Sequence, residues 1–186
     1  MVSVTVRSGN VTSNLNVRRP RWSSVYARYP KTAGGIDFED DLPSTRVFTR
    51  IFGSGYNTDD FTNACATRVS LALLSGGMKN VTNRIMISEK THEYYGRFIE
   101  SGAAKLKNYL VKSWGQPDIL IKFPVTEDQV KNELNGKKGG YIMIPKFPSQ
   151  FGGNSRHATL RTGKRVIGDH YYIGENTHAI YFWELK

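Results

Sequence analysis

The chain contains a single cysteine, and that cysteine opens its most clearly helical stretch. Cys65 lies where a loop rich in Asp, Thr and Asn gives way to apolar residues, and Gly76-Gly77 provides a C-terminal stop. Asn63 or Thr62 can cap this helix by accepting a hydrogen bond from an unpaired backbone N–H. One apolar face leads up to the sulfur, so the rest of the chain must supply the elements that cover it.

Two interpretations of Cys65 are open at this point. A thiol in the first helical turn lies at the positive end of the helix dipole, which favours the thiolate and a catalytic role. A free cysteine is also often no more than a small buried side chain. A thiol that reacts well below the free-cysteine pKa of about 8.5 would favour catalysis, whereas an inert sulfur would favour packing.

Length and composition indicate one globular domain. The 186 residues are enough to bury a core, and 39% of them are apolar and 12% aromatic. We expect the domain to span residues 19–186, preceded by an N-terminal arm or strand over residues 1–18. The longest apolar runs have only a few residues, which is too short for a membrane-spanning helix.

The charge balance favours anionic partners without naming one. Lys and Arg outnumber Asp and Glu by 26 to 16, which gives a net charge of +10. Nucleic acid, acidic lipid and acidic cell-wall polymer are all compatible with such a charge. The charges are dispersed, however, and the sequence has neither a nucleic-acid motif nor an aromatic-basic ladder. We therefore expect no nucleic-acid binding and no membrane insertion.

The N-terminus and the lone cysteine bear on the cellular compartment. Residues 1–16 lack the apolar run of a secretory signal peptide, and one cysteine cannot form an internal disulfide. We expect the protein to be made in a cytoplasm. It could still work outside one, because nothing in it requires oxidation.

The order of the elements predicts an α+β fold. Apolar residues recur at helical spacing up to about residue 135, and short β-branched or aromatic runs follow after residue 140. Helices are predicted near residues 20–29, 43–52, 65–74, 103–114 and 126–135, and strands at 141–144, 157–161, 165–167, 171–173 and 178–185. Residues 32–41 are expected to form a loop. Helices first and strands last indicate an antiparallel sheet packed on the cysteine helix.

A histidine and an acid fall into register in a predicted hairpin. A loop of residues 162–164 places Asp169 opposite His157, whereas a loop of residues 162–163 places Gly168 there. Directly opposite residues have Cβ atoms about 5 Å apart, close enough for a carboxylate to hold an imidazole. A catalytic histidine needs this contact, because it fixes the tautomer and stabilises the charged ring.

Two other interpretations of this hairpin are weighed beside the catalytic one. The pair can be an ordinary polar cross-strand contact on an exposed face. A zinc site is a further possibility, since four possible ligands lie close in sequence: His157, Asp169, His170 and His178. None of these pairs has a recognised short ligand spacing, so we expect neither a metal nor another cofactor. His170 should point to the opposite strand face from Asp169.

A nucleophile on a helix, followed by a sheet with a histidine and then an acid, is the chain order of papain-like cysteine hydrolases. In that chemistry the thiolate attacks a carbonyl and the imidazole protonates the leaving amine. The backbone N–H of Cys65 can help to stabilise the oxyanion. Asn63 and Tyr56 are the candidates for a side chain that completes the oxyanion hole.

Five stretches together resemble the fourth family of type VI secretion amidase effectors. They are residues 62–70 (TNACATRVS), 114–118 (WGQPD), 157–160 (HATL), 168–170 (GDH) and 181–186 (YFWELK). The similarity runs from about Arg19 to the C-terminus in the order of the family, and residues 1–18 lie outside it. The combination of motifs is far more specific than a lone Cys-His pair.

The resemblance implies a papain-like (NlpC-type) fold and an antibacterial toxin that acts in the periplasm of a target bacterium. Members of this family are DL-endopeptidases that cut peptidoglycan stem peptides between D-glutamate and meso-diaminopimelate. By motif, Cys65 would be the nucleophile, His157 the general base and Asp169 its orienting acid. The implied partners are the stem peptides, the type VI secretion machinery and a periplasmic immunity protein that blocks the cleft. The absence of a signal peptide fits, because this machinery loads effectors from the cytoplasm.

This sequence departs from the family pattern at two positions beside the histidine motif. Relatives tend to have glycine where this chain has Arg156, and an aromatic residue where it has Arg161. Both positions are expected to flank the active site and to affect substrate preference and immunity recognition. Two alternatives remain: a cysteine protease or transglutaminase-like acyltransferase, and a basic binding module for wall polymer or nucleic acid with a packed cysteine.

Overall fold

The structure is a computed structural model that describes residues 2–9, 11–17, 19–33, 39–147 and 156–186. Within these residues the α-helices are α1 (Trp22–Ala27), α2 (Ser44–Phe52), α3 (Cys65–Ser75), α4 (Ala103–Trp114) and α5 (Glu127–Glu133). All five lie where helical spacing predicted them. Thr126 caps α5, because its hydroxyl accepts a hydrogen bond from the Gln129 N–H at 3.2 Å. No described helix is long and apolar enough to span a membrane.

The strands form one larger sheet and three short hairpin-like pairs. In chain order they are β1 (Val2–Ser8), β2 (Val11–Val17), β3 (Lys31–Ala33), β4 (Glu39–Asp41), β5 (Ile85–Met86), β6 (Phe98–Ile99), β7 (Ile119–Lys122), β8 (Lys138–Pro145), β9 (His157–Thr162) and β10 (Thr177–Glu184). The larger sheet is antiparallel, with the order β7-β10-β8-β9. The other strands pair as β1–β2, β3–β4 and β5–β6, each antiparallel.

Some predicted local structure is wrong. Residues 165–167 and 171–173 are not strands, and part of the predicted loop at 32–41 forms the β3–β4 pair. The N-terminal arm forms the β1–β2 pair in the part that the structure describes. Residues 34–38 of the predicted loop, and residues 1, 10 and 18 of the arm, lie outside the described ranges.

Helix α3 is the most deeply buried helix of the described chain. All residues from Cys65 to Leu74 are buried, and only Ser75 at its end is partly exposed. Helices α1, α2 and α4 and strand β9 all contact it. Because the helix is covered on every side, its polar residues Thr67, Arg68 and Ser70 are buried together with its apolar ones.

The sheet separates two apolar clusters because its side chains alternate between faces. On the α3 side, Ile142, Ala158, Leu160 and Trp183 join the main core. On the other side, Tyr141, Met143, Ile180 and Phe182 pack with α5 residues such as Val130. The α+β prediction, an antiparallel C-terminal sheet packed on the cysteine helix, is confirmed. This packing brings the start of α3 against the start of β9.

Candidate functional site

The loop before α3 fixes the position of Cys65. The side-chain Oδ1 of Asn63 accepts a hydrogen bond from the Cys65 N–H at 2.9 Å. Ala64, rather than Asn63 or Thr62, is the N-cap residue, and the cap has no side-chain hydrogen bond. Asn63 lies one residue before the N-cap, and its side chain accepts from the first residue of the helix, Cys65. The Cys65 N–H, which was expected to help to stabilise an oxyanion, is thus already bound to Asn63 in this conformation.

The sulfur of Cys65 contacts the backbone on both sides of His157. The thiol donates to the Arg156 carbonyl at 3.9 Å, and a backbone hydrogen bond from Ala158 also reaches the sulfur. His157 is the first residue of β9, so the packing of α3 on β9 brings the predicted nucleophile and the predicted base together. These two sequence-predicted residues share one site.

The imidazole of His157 is buried beside two other rings. Only 5% of the residue is exposed, and its Nε2 has no hydrogen-bond partner among the described residues. The ring centroid lies 4.9 Å from that of Tyr172 and 6.1 Å from that of His170. Tyr172 was not predicted as a site residue. Its position depends on a loop in which Tyr172 itself has a φ of 49°, and no sequence pattern predicts this conformation.

The predicted hairpin register between His157 and Asp169 is wrong for both loop lengths. Thr162 N–H donates to the Arg165 carbonyl at 2.7 Å, so the loop consists of residues 163–164. Pairing ends at the Arg161–Val166 bridge, and His157 instead pairs with Met143 of β8.

The chain then turns away in a 3₁₀ segment, residues Ile167–Asp169. The backbone φ is 78° at Gly168 and 54° at Asp169, which is incompatible with a continuing strand. Asp169 is exposed, and the β-pairing that was expected to place it opposite His157 ends at the Arg161–Val166 bridge. The role of Asp169 as orienting acid stays a prediction that rests on its motif.

Burial leaves both reactive groups neutral in this conformation. It raises the pKa of the Cys65 thiol, against which backbone hydrogen bonds from Ala158 and Ala66 act only in part. It also lowers the pKa of His157 to about 3, with smaller electrostatic contributions from His170 and Arg68. Desolvation thus sets the net direction of the Cys65 pKa shift, and the thiolate that the helix start was expected to favour stays a prediction.

Two neighbouring cavities open at the site, one lined by Cys65 and the other by His157. The smaller, about 290 Å³, is lined by Cys65 together with residues 101–105 at the start of α4 and with residues 60–63. The larger, about 530 Å³, is lined by His157, Tyr172 and residues 173–177. Asn63 and Arg156 line both cavities, so the two cavities meet at these residues.

Tyr56, the other predicted oxyanion residue, lies elsewhere. Its ring packs against Phe48, Phe52 and Phe61, at centroid distances of 5.8, 6.2 and 6.4 Å. It lines neither of the two cavities. The structure therefore gives Tyr56 a place in an aromatic cluster at the end of α2 and does not bring it to the thiol.

The chain matches one family model over residues 61–183, with the description type VI secretion system (T6SS), amidase effector protein 4. It belongs to this family. The matched range begins just before the cysteine helix and ends in β10, so it contains all the residues that line the junction of the two cavities. No curated protein gives a significant match.

Solved structures of amidase effectors share the fold at low sequence identity. The effector Tae4 of Salmonella typhimurium, solved with the immunity protein Tai4 of Enterobacter cloacae, is 20% identical and has a TM-score of 0.65; the alignment covers 90% of this chain and 100% of that one. The Tae4–Tai4 complex of E. cloacae is 19% identical with a TM-score of 0.65, and the alignment covers 90% of this chain and 99% of that one. Tae4 of E. cloacae, solved alone, is 20% identical with a TM-score of 0.64, and the alignment covers 90% of this chain and 98% of that one. The fold is thus NlpC/papain-like.

Two motifs shared with the family of amidase effectors hold the fold together rather than the site. The Asp118 carboxylate pairs with Arg19 and accepts the Glu184 N–H at 2.7 Å. The Trp183 indole donates to the Gly115 carbonyl at 3.2 Å. These contacts join the end of α4 to the C-terminal strand and to the segment before α1.

The two departures from the family pattern differ in place. Arg156 lines both cavities, as expected for a residue that flanks the site. Arg161 does not: its side chain is buried and donates to the carbonyls of Leu134 at 3.1 Å and Gly163 at 3.4 Å. The expectation that Arg161 flanks the active site is therefore wrong. Among the described residues, no three His, Cys, Asp or Glu side chains are grouped as metal ligands.

Proposed function

We propose that the chain is a cysteine amidase that hydrolyses peptidoglycan stem peptides between D-glutamate and meso-diaminopimelate. The observation that carries the proposal is the contact of the Cys65 sulfur with the backbone on both sides of His157. A nucleophile, a base and a cleft beside them are what acyl transfer requires. The family to which the chain belongs consists of amidase effectors.

The reaction begins with a neutral pair. His157 takes the proton from the Cys65 thiol as the sulfur attacks the carbonyl carbon of the scissile amide. The imidazolium then gives this proton to the departing amine, and the C–N bond breaks to leave a thioester on Cys65. Water, deprotonated by His157, hydrolyses the thioester and restores the thiol.

Two further residues complete the proposed machinery. The Nδ2 group of Asn63 is the oxyanion donor, because its Oδ1 is already used by the Cys65 N–H and the side chain lines both cavities. Asp169 is the orienting acid, by its Gly-Asp-His motif and its place in the turn that also carries His170. A carboxylate at the unpartnered Nε2 of His157 would raise the pKa of the ring toward about 7, and a general base works best with a pKa near the operating pH.

The smaller cavity, which Cys65 lines, suggests how an acidic stem peptide is held. Arg156 and Lys105 line it, and Asp60 is the acidic residue there, with its carboxylate already bonded to Asn57 at 2.8 Å. The carboxylates of the stem would lie against the two cations. The larger cavity, beside His157 and Tyr172, would receive the other half of the peptide.

The proposed setting is that of an antibacterial effector. Delivery by the type VI machinery would bring the protein to the periplasm of the target cell, where its substrate lies. Two of the solved structures with this fold are effector–immunity complexes. We therefore assign to this chain a cognate immunity protein that covers the cleft at Asn63 and Arg156.

Mass spectrometry of purified muropeptides after digestion tests the function. The parent protein should release products whose masses correspond to cleavage between D-glutamate and meso-diaminopimelate. Cys65→Ala and His157→Ala should release none, while His178→Ala, which removes an exposed histidine, should act like the parent. Turnover that survives in the first two variants would refute the assignment, and salt-sensitive binding of wall polymer without turnover would indicate a binding module.

A further inference from the structure

The carboxylate of Asp41 lies in a buried polar cluster beneath the candidate site. Its Oδ2 accepts from the Arg68 guanidinium at 3.1 Å, and its Oδ1 accepts from the Tyr29 hydroxyl at 2.9 Å. The side chains of Arg68 and Asp41 are only 7% and 11% exposed. Burial raises the pKa of Asp41, and the neighbouring Arg68 charge opposes that rise. Tyr29 and Asp41 both lie outside the residues matched by the family model.

On one side this cluster holds the start of the cysteine helix. Arg68 lies three residues after Cys65 on α3, and its Nε donates to the Leu42 carbonyl at 2.9 Å. The Ser44 hydroxyl, 3.4 Å from the same guanidinium, accepts the Ala64 N–H at 3.2 Å. The residue before the cysteine is thus fixed by the same group of polar side chains.

On the other side the cluster holds the turn that follows β9. A Cβ at Gly168 would lie 3.2 Å from both Cγ and Oδ2 of Asp41, so the backbone of the turn packs directly on the carboxylate. The Tyr29 hydroxyl lies 3.3 Å from the Thr159 hydroxyl, which donates to the Ile167 carbonyl at 3.1 Å. Thr159 is two residues after His157 on the same strand.

We propose that Asp41 is a positioning residue, which sets the cysteine helix through Arg68 and the turn of residues 167–170 through Gly168 and Tyr29. It touches none of the reacting atoms. It joins the three elements that carry Cys65, His157 and Asp169, which come from distant parts of the chain. The proposal rests on the proposed function only in taking those residues as catalytic.

A buried ion pair suits this role better than apolar contacts. Separating the two partners would leave each charge buried without its counter-ion, which is costly. The pair therefore tolerates few alternative positions of α3 and β4 relative to each other. Apolar side chains of similar volume could fill the same space but would set neither the helix nor the turn in a unique orientation. A displacement of about 1 Å in such a site costs on the order of 100-fold in rate.

The test compares Asp41→Asn and Tyr29→Phe with Asp118→Asn. The third variant breaks the Arg19–Asp118 pair, which ties the fold together away from the cleft. Asp41→Asn should lower kcat by about 10- to 100-fold with KM nearly unchanged. Tyr29→Phe should lower kcat less, because it removes the hydroxyl contacts with Asp41 and Thr159 but keeps the Arg68–Asp41 pair. Asp118→Asn should keep the kcat of the parent at temperatures where it is folded. An unchanged kcat in Asp41→Asn would overturn the proposal.

A second readout does not depend on turnover. Long-range ¹H–¹⁵N spectra of the four histidine rings, assigned with single His→Gln variants, report the surroundings of His157 and His170. Asp41→Asn and Tyr29→Phe should shift the signals of these two rings and leave those of His92 and His178 in place. Unshifted His157 and His170 signals would overturn the proposal even if the parent cuts no muropeptide. An inactive parent with the expected shifts would refute the proposed function alone.

Discussion

The Asn63 side chain and the Cys65 backbone are joined by a hydrogen bond of 2.9 Å, from the cysteine N–H to Oδ1. This bond orients the amide so that Oδ1 faces the helix start, and Asn63 lines both cavities. One side chain thereby holds the backbone of Cys65 and lines the cleft, and its Nδ2 is the oxyanion donor that we propose.

Replacing Asn63 by aspartate separates these two roles. Asn63→Asp keeps an oxygen that can accept the Cys65 N–H, so the free energy of unfolding should change by less than about 1 kcal/mol. It removes the Nδ2 donor, so kcat should fall by about 100- to 1000-fold, the usual loss for one oxyanion donor. Steady-state kinetics on muropeptides and urea unfolding measure the two effects. A kcat close to that of the parent would show that Asn63 only orients the cysteine.

The pH dependence of Cys65 alkylation follows from its burial. Because burial raises the pKa of the thiol, the folded protein should react slowly with iodoacetamide at pH 7 and faster as the pH rises above about 8.5. The urea-unfolded chain, which has the same single cysteine, is the matched control and should react faster at every pH. Faster labelling of the folded protein at pH 6 would show a thiolate that this structure does not contain. The criterion that an inert sulfur favours packing holds for a nucleophile that is a thiolate at rest. It does not apply to a neutral pair, in which the proposed base His157 takes the proton only during attack.

Acid should destabilise the fold through His157. An unfolded histidine binds a proton near pH 6.5, whereas the pKa of about 3 in the fold keeps the ring neutral. Between these values the unfolded chain binds more protons, so this contribution to stability is complete above pH 6.5 and is lost as the pH falls toward 3. One proton corresponds to at most about 1.4 kcal/mol per pH unit.

Unfolding in urea at pH 7, 6, 5 and 4 measures this contribution. The free energy of unfolding of His157→Gln should fall less steeply with acidification than that of the parent. His178→Gln, at an exposed position, should follow the parent. Equal slopes in the parent and His157→Gln would mean that the ring is already charged in the fold or exposed to water.

The sequence predicted what depends on local pattern and failed where long-range placement decides. The cysteine helix, the cap at Thr126 and the strand that begins at His157 follow from spacing and capping chemistry. The hairpin register failed because Gly168 and Asp169 adopt positive φ and end the pairing. A glycine after a β-branched run indicates a possible break but not its direction.

The buried pair of Arg68 and Asp41 could not be predicted either. The two residues are 27 positions apart, and charged side chains are rarely buried unless they are paired. From the sequence alone, Arg68 is one more contribution to a dispersed positive charge. Arg68 gains its partner only because the fold places Asp41 of β4 between α3 and the turn that follows β9.

Two neighbouring glycines of β8 provide the last prediction. A Cβ at Gly139 would lie 2.0 Å from the Trp183 carbonyl oxygen, whereas a Cβ at Gly140 would meet nothing within 4 Å. Gly139→Ala should therefore force β8 and β10 apart and lower the free energy of unfolding by at least about 2 kcal/mol. Gly140→Ala should be neutral or stabilising by up to about 1 kcal/mol, because it reduces the freedom of the unfolded chain. Urea unfolding of both variants measures the difference, and similar stabilities would show that the two strands are not in the register described.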